Sequence, residues 1–410
     1  MARVAQQQIA RLVEARFADE VAFLRELVRV PTDTPPGDNA PHAERTATLL
    51  EGMGYAVERH PVPARRVRAA GLTSLTNLIV RRRFGAGPTI ALNAHGDVVP
   101  PGEGWTTPPY EGVIARGRMY GRGVAVSKSD FATYTFALRA LEALGRPLAG
   151  TVELHFTYDE EFGGLLGPGY LLGTGATRPD FAIGAGFSYA VVTAHNGCLQ
   201  LEVTVTGKAA HAAMPETGHD ALQASVRLLD ALYVERAQYA SMRSKVPGIG
   251  SPTLTIGRIE GGINTNVVPE RVAFRLDRRM IPEEEPSGVE RRLKAVIRGA
   301  VRGLPGIAVE MRRLLLAHAL APLPGQARLA DIIRRRAEAV FGEPVPATGT
   351  PLYTDARLYA EAGVPIVLYG AGPRTILEAN AKRADENLVL DDLKRATVVV
   401  ACALADLLGG

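Results

Sequence analysis

One histidine and a cluster of acidic residues stand at the ends of two apolar segments, where their side chains could do acid–base or metal chemistry. His95 and Asp97 follow the apolar segment at 89–93, and three adjacent acids at 159–161 follow the apolar segment at 151–156. Imidazole and carboxylate groups transfer protons and bind divalent cations. A lone His-x-Asp is weak evidence, and adjacent acids are usually a solvated turn. Their position directly after apolar segments favours a functional site.

The segments that must position these residues alternate between strand and helix patterns. Apolar runs at 77–80, 89–93 and 151–156 are typical of buried strands, and residues 134–144 carry apolar side chains at helical spacing. Strands that alternate with helices predict an α/β domain, with a mostly parallel sheet and helices on both faces. Ligands of such sheets bind at the carboxyl ends of the strands, which is where the histidine and the acids fall.

A different pattern begins at Cys198, where apolar and polar residues alternate through 199–206. Strict alternation predicts a half-exposed strand. A helix, two strands, a second helix and a last strand follow, which is the βαββαβ order of a ferredoxin-like α+β unit. We therefore predict a catalytic domain in two parts, 1–197 and 321–410, interrupted by an inserted domain at 198–320.

The composition agrees with this division and excludes several functional classes. A chain of 410 residues is too long for one ordinary core, and its net charge of +4 is too small and too scattered to favour a nucleic-acid partner. No signal peptide or membrane-crossing run is present in the sequence, so we expect a cytoplasmic protein with no membrane partner. Cys198 and Cys402 form no CxxC motif, and we expect both in the core.

Taken together, the motifs resemble the zinc-dependent aminoacylase and carboxypeptidase family, which includes acetylornithine deacetylase, succinyl-diaminopimelate desuccinylase and glutamate carboxypeptidase. The resemblance covers nearly the whole chain. Its fold agrees with the insert inferred above. The matching segments are Leu27-Val-Arg-Val-Pro, His95 to Trp105, Tyr120-Gly-Arg-Gly, Asp159-Glu-Glu-Phe-Gly-Gly, Gly207-Lys-Ala-Ala-His211, Gly261 to Pro269, Asp277-Arg-Arg279, Thr354-Asp-Ala-Arg357 and Gly370-Ala-Gly372.

The resemblance implies a role for each residue of the two acidic segments. His95 matches a ligand of one zinc ion, and Asp97 matches the carboxylate that buttresses this histidine. Glu160 matches the general base that acts on water, and Glu161 matches a ligand of the other zinc ion.

Further positions are implied to bind substrate and to join two subunits. His211 matches the insert histidine that, in the family, reaches a dimer partner's active site and stabilises the developing oxyanion, which implies a homodimer formed through the inserted domain. Arg357 is implied to clamp a free carboxylate, because its planar fork accepts that group with two hydrogen bonds. The substrate is therefore expected to be a small-molecule carboxylate. The implied substrate-binding residues are Asn266, Arg279, Thr354, Arg357 and Gly370.

The sequence departs from the family at three of five ligand positions. Val126 stands where the family has the aspartate that bridges both ions, Ala185 replaces the next acidic ligand, and Lys382 replaces the terminal histidine. Only His95 and Glu161 remain, whereas zinc sites ordinarily need three protein ligands each. We therefore expect no metal-ligand set and no cofactor, with zinc or another divalent cation as the alternative. The loss of two carboxylates and the gain of a lysine nearly restore the charge balance of an empty site.

Two other interpretations of these positions stay open. If the alignment is shifted, a neighbouring acid such as Asp130 could serve in place of Val126. Lys382 could be an ordinary surface lysine at a helix entrance.

Three functions are compatible with the remaining residues. The first is hydrolysis of a C–N bond in an N-acyl amino acid or dipeptide, with Glu160 as base, the His95/Asp97 pair as a second proton carrier, and Lys382 with His211 stabilising the oxyanion. The second is a metal-independent lyase, cyclase or isomerase that acts on an amino-acid derivative. The third is a non-catalytic binding protein.

Overall fold

The computed structural model describes residues 2–409, which divide into two compact units. The first unit contains the chain up to Thr193 together with Pro322–Thr348 and Thr354–Gly410, and the second contains Ala194–Ala321 and Gly349–Tyr353. The predicted insert at 198–320 lies within the second unit.

The chain before the insert forms six helices and eight strands among the described residues. They are α1 (Ala2–Glu14), α2 (Phe17–Val28), α3 (Ala40–Gly52), β1 (Val57–Pro61), α4 (Ala64–Ala69), β2 (Thr76–Arg83), β3 (Thr89–His95), β4 (Val113–Ala115), β5 (Arg118–Tyr120), α5 (Lys128–Glu142), β6 (Thr151–Thr157), α6 (Pro168–Gly173), β7 (Phe181–Gly184) and β8 (Val191–His195). A single turn of 3₁₀ helix at Glu160–Phe162 follows β6.

The insert has the predicted βαββαβ order. Its four strands form an antiparallel sheet in which β9 lies between β11 and β12, and β10 lies at an edge. Leu199, Leu201, Val203 and Val205 of β9 are fully buried, whereas the polar residues between them are partly exposed, as the alternation predicts. The elements are β9 (Gly197–Thr206), α7 (Ala221–Gln238), β10 (Thr253–Gly261), β11 (Arg271–Met280), α8 (Pro286–Ala300) and β12 (Ala308–Ala317).

The remaining elements are α9 (Gln326–Phe341), β13 (Ala347–Thr350), α10 (Ala356–Glu361), β14 (Ile366–Leu368), β15 (Asn387–Val389) and α11 (Leu390–Leu408). They belong to the first unit, apart from the last two residues of β13, which belong to the second.

The large sheet has eight strands in the order β1-β2-β6-β3-β7-β14-β8-β13. The central strands β6, β3, β7 and β14 run parallel, while β1, β2 and β8 pair antiparallel with their neighbours. This confirms the predicted α/β class with its inserted α+β unit. The sequence did not predict the antiparallel strands or the small sheet β15-β5-β4.

The central strands and the helix α5 are buried because both are covered by other elements. Ile90 and Leu92 of β3 and Leu154 of β6 are fully buried, and each such side chain contributes about 1.5–3 kcal/mol to folding. Helix α5 is buried along nearly all of its length and packs against α2 and α11. The first turn of this helix is therefore fixed beside the sheet. Cys198 and Cys402 are both buried, as predicted.

None of the helices at residues 2–409 is both long enough and apolar enough to cross a membrane.

Candidate functional site

The carboxyl ends of the four parallel strands gather the candidate residues at one edge of the sheet. His95 is the last residue of β3 and pairs in register with Thr157, the last residue of β6. The acidic turn at 159–161 follows β6, Ala185 follows β7, and Gly370 lies two residues after β14. Strand order thus places the histidine beside the acids, as the ligand-binding edge of an open α/β sheet requires.

His95 is oriented by Asp97. The imidazole Nδ1 lies 3.1 Å from the backbone oxygen of Asp97 and 3.3 Å from its Oδ1, while Nε2 lies 3.9 Å from Oε2 of Glu160. The other carboxylate oxygen of Asp97 accepts a hydrogen bond of 2.9 Å from the backbone N–H of Glu161. The backbone carbonyl of Asp97 therefore holds the imidazole, while its buried carboxylate lies beside the ring and holds the acidic turn. The sequence-based role of Asp97 as a buttress agrees with these contacts.

Charges around His95 favour its protonated form. Burial lowers the pKa of His95, but the hydrogen bond to Asp97 and the charge of Glu160 outweigh burial and raise it to about 10. Burial raises the pKa of Glu160 to about 7, although His95 lowers it in part. At neutral pH the site thus holds an imidazolium 3.9 Å from a carboxyl group that can accept a proton.

The turn that carries Glu160 depends on two glycines. Gly163 and Gly164 have φ angles of 101° and 72°, which favour glycine. A Cβ atom at Gly164 would lie 2.0 Å from Oδ1 of Asp355, so a larger residue would push the turn away from α10. Asp159 accepts a 2.6 Å hydrogen bond from the backbone N–H of Leu166, which closes the turn on its other side.

Lys382 contacts the second glutamate of the acidic turn. Its Nζ lies 2.7 Å from Oε2 of Glu161, whose side chain is 11% exposed. Burial lowers the pKa of Lys382, but the charges of Glu161 and Glu160 outweigh it and raise the pKa above its ordinary value. The lysine side chain is 62% exposed, so solvent screens the pair and its contribution to stability is about 0–1 kcal/mol. The pair is important because it places a positive charge beside Glu161.

Neither Val126 nor Ala185 offers a metal donor beside these residues. Val126 ends the loop that leads into α5, and the next residue, Ser127, accepts a 3.0 Å hydrogen bond from the backbone N–H of His95. The backbone N–H of Ala185 donates to the carbonyl of Asn93, on the same strand as His95. Both apolar side chains therefore belong to segments that adjoin His95.

Lys382 pairs with Glu161, one of the two retained candidate zinc ligands. Within residues 2–409, no group of three or more His, Cys, Asp or Glu side chains is arranged to hold a metal ion. Each zinc ion would need three protein ligands, and of the five implied ligand positions only His95 and Glu161 carry a side chain that the resemblance assigns to a metal.

Asp130, the alternative acid, is used elsewhere. It lies in the first turn of α5, and its Oδ1 accepts a 2.7 Å hydrogen bond from the backbone N–H of Ala371. A Cβ atom at Gly370 would lie 1.9 Å from the same oxygen. Gly370 thus permits the close approach of Asp130 to the segment after β14. Burial raises the pKa of Asp130 to about 7.

The structure adds a buried ion pair that the sequence did not reveal. Arg122 Nη1 lies 2.5 Å from Oε2 of Glu386, and the other carboxylate oxygen accepts from the backbone N–H groups of Gly123 and Ala125 at 3.0 and 3.1 Å. This pair joins the loop that carries Val126 to the segment after Lys382. Arg122 stands in the Tyr-Gly-Arg-Gly motif, but no local pattern links it to a partner 264 residues away.

Two of the predicted substrate-binding residues, Thr354 and Arg357, lie at the start of α10 or just before it. The Thr354 hydroxyl accepts a 3.2 Å hydrogen bond from the N–H of Ala356. Arg357 is 3% exposed, its Nη2 donates to the carbonyl of Gly163, and its Nη1 lies 3.4 Å from Glu361. Arg357 therefore supports the acidic turn in this structure, and the carboxylate clamp stays a prediction.

The second unit holds the other predicted residues. His211 and Asn266 are exposed and lie on paired segments, since the N–H of Ala212 donates to the carbonyl of Asn266 at 3.0 Å. Arg279 is on β11, where it pairs with Asp277 at 2.7 Å and packs over the ring of Tyr353.

Comparisons with known proteins agree on one family. A family profile described as "Peptidase family M20/M25/M40" matches residues 91–406. The chain is 27% identical over 398 residues to a succinyl-diaminopimelate desuccinylase of Rhodospirillum centenum (94% of this chain, 96% of that one) and 29% identical over 394 residues to an acetylornithine deacetylase of Myxococcus xanthus (95% and 97%). The crystal structure of an M20 family metallo-carboxypeptidase from Sulfolobus solfataricus superposes with a TM-score of 0.77 at 18% identity, covering 94% of this chain and 98% of that one.

Proposed function

The chain belongs to peptidase family M20/M25/M40, and from this premise we propose that it hydrolyses the C–N bond of an N-acyl amino acid or dipeptide-like carboxylate without a dinuclear zinc centre. Relatives that cover nearly its whole length are named as a desuccinylase and a deacetylase, which are hydrolases of amide bonds. The observation that carries the metal-independent part is the Lys382–Glu161 ion pair at 2.7 Å, beside Glu160.

In this proposal Glu160 takes a proton from water, and the resulting hydroxide adds to the substrate's carbonyl carbon. The cations of Lys382 and His95 stabilise the negative charge that develops on the carbonyl oxygen. When the C–N bond breaks, Glu160 returns its proton to the leaving nitrogen, so that a carboxylic acid and an amine are formed. Asp97 keeps His95 in place throughout, because its contacts do not involve the reacting atoms.

The experiment is a screen of N-acyl amino acids and dipeptides with and without a chelator. We expect hydrolysis to continue in the presence of the chelator and to be lost in Glu160→Gln. The control variant Glu14→Gln should hydrolyse normally, because the carboxylate of Glu14 is exposed on α1. Activity that the chelator abolishes and zinc restores would overturn the metal-independent part. Absence of hydrolysis with every compound would overturn the hydrolase assignment.

A second candidate is a metal-independent lyase, cyclase or isomerase. It is favoured by the 3.9 Å approach of His95 to Glu160, since an acid and a base so placed can protonate one atom of a substrate and deprotonate another. Mass spectrometry of the products formed in oxygen-labelled water separates the two functions, because hydrolysis incorporates the label and isomerisation does not. Specific binding of these compounds without any conversion would instead identify a binding protein.

We also propose a homodimer formed through the inserted domain. Leu222, Val226 and Tyr233 form one stripe of α7 and are 41–58% exposed, and β10 is an edge strand. An exposed apolar stripe and an unpaired strand edge are both typical of association surfaces. Analytical ultracentrifugation should find a dimer for the parent and a monomer for Val226→Glu; a monomeric parent would contradict the proposal.

A further inference from the structure

A chain of buried polar side chains crosses from β6 to α10, outside the residues assigned to the chemistry. His155 and Tyr359 are 0% and 1% exposed, and Glu153 and Thr177 are each 3% exposed. Burying a polar group costs free energy unless the group is paired. The contacts within this group therefore indicate that it holds a helix or strand in position.

Each member of this group has a partner. Oε2 of Glu153 accepts hydrogen bonds from Thr177 Oγ1 at 2.5 Å and from His155 Nε2 at 2.9 Å, while Arg81 pairs with Oε1. In the tautomer that donates Nε2–H to Glu153, Nδ1 accepts the hydrogen bond of 2.8 Å from the Tyr359 hydroxyl. Hydrogen bonds in such a chain polarise and strengthen one another.

Helix α10, which carries Tyr359, is also in contact with the acidic turn. Arg357 on this helix donates to the carbonyl of Gly163, and Asp355 just before it approaches Gly164 closely. Gly163 follows the 3₁₀ turn at Glu160–Phe162 directly. The helix therefore lies between the buried polar chain and the turn that carries the proposed base.

We propose that Tyr359 is a positioning residue for Glu160. Through its hydrogen bond to His155 it holds α10 in position, and α10 holds the acidic turn at 159–161. This inference rests on the proposed function for the role of Glu160. A displacement of a catalytic group by about an ångström can slow the reaction about a hundredfold. A hydrogen bond that positions α10 can therefore affect the rate of a reaction whose base the helix does not contact.

The test compares Tyr359→Phe with Tyr134→Phe. Both tyrosines are fully buried and lose one hydroxyl, but Tyr134 is on α5 and donates to the carbonyl of Tyr369 at 2.9 Å. Tyr359→Phe should lower kcat by about tenfold to a hundredfold with KM nearly unchanged, since a misplaced base slows chemistry without weakening binding. Tyr134→Phe should leave both constants near those of the parent.

Hydrogen exchange gives a second measurement that needs no substrate. The amides of Gly163 and Gly164 donate to the carbonyls of Glu160 and Asp159 at 3.1 and 2.9 Å. Tyr359→Phe should make these amides exchange about fivefold to tenfold faster, the effect of one lost hydrogen bond. Thr177→Val, which removes a hydroxyl at the far end of the chain, should act in the same direction and less strongly.

The outcomes are distinguishable from those of the proposed function. If no compound is hydrolysed by the parent, the exchange of the turn amides still decides whether α10 holds the turn. An exchange rate at Gly163 and Gly164 that stays at the parent value in Tyr359→Phe would overturn the inference. So would an increase in exchange rate that is equally large at amides throughout the polypeptide, or equally large in Tyr134→Phe.

Discussion

Refilling three positions of the site should convert it into a zinc site. The perturbation is the triple change Val126→Asp, Ala185→Glu and Lys382→His, which adds a shared carboxylate and one further ligand for each of two ions. With His95 and Glu161 each ion then has three protein ligands, the number that zinc sites need. The contact of Lys382 with Glu161 shows that position 382 reaches the acidic turn.

The magnitude follows from mass action. Zinc at a hundred times its dissociation constant stabilises a folded state that alone binds it by about 2.7 kcal/mol. In a chain of this length 1 kcal/mol moves the melting temperature by about 1–2 °C, so zinc should raise that of the triple variant by about 3–5 °C. Without zinc the variant should be less stable than the parent, because carboxylates cluster around Glu161 after its lysine is removed.

The assay is thermal unfolding of parent and triple variant, each with zinc, with magnesium and with a chelator. The parent with zinc is the control for nonspecific binding, and it should show no comparable rise. Magnesium should not replace zinc, since it prefers water and oxygen ligands in octahedral geometry. A triple variant that is destabilised in chelator and gains nothing from zinc would refute the assignment of Val126, Ala185 and Lys382 to ligand positions.

Three further predictions concern the fold and the base. Burial raises the pKa of Glu20 from 4.5 to about 8, so the folded state binds this proton more tightly than the unfolded state. The free energy of unfolding should therefore fall by roughly 5 kcal/mol as pH rises from about 4.5 to 8. In urea denaturation Glu20→Gln should reduce this pH dependence, and an unchanged pH dependence would contradict the role of Glu20. Arg122→Met should lower the free energy of unfolding by about 3–5 kcal/mol, because it leaves the buried Glu386 without its cationic partner. Lys382→Met should lower it by less than about 1 kcal/mol. Equal urea midpoints for the two variants would contradict this ranking. Glu160→Gln should abolish turnover while keeping a melting temperature at or above that of the parent, since it removes a partly buried acid. A variant that retains activity would exclude Glu160 as the base.

The sequence predicts that His95 and the acids at 159–161 lie close together, because both segments carry local signals. His95 and the acids at 159–161 end apolar strands, and parallel strands must bring their carboxyl ends to one edge. The alternation in β9 likewise predicts which of its side chains are buried. In each case a short stretch of sequence contains both the element and the direction of its side chains.

The sequence does not predict the contacts that hold the site in place, because they join distant residues. Arg122 and Glu386 are 264 residues apart, and His155 and Tyr359 are 204 residues apart. Periodicity describes one element at a time, so it does not show which buried polar groups meet. The strands β4, β5 and β15 were missed for another reason: each has only three residues, too few to show a period.

The three changed ligand positions are coupled, and single changes should therefore fail where the triple change succeeds. Lys382→His alone removes the cation that lies 2.7 Å from Glu161, and that half of the site would then have only two ligands. Val126→Asp alone adds a carboxylate near Glu160 and Glu161 and gives each half only two ligands. Each single variant should thus melt below the parent and respond weakly to zinc, whereas the triple variant should gain more than the sum of the single responses. Strictly additive zinc responses would mean that the three positions do not share one site.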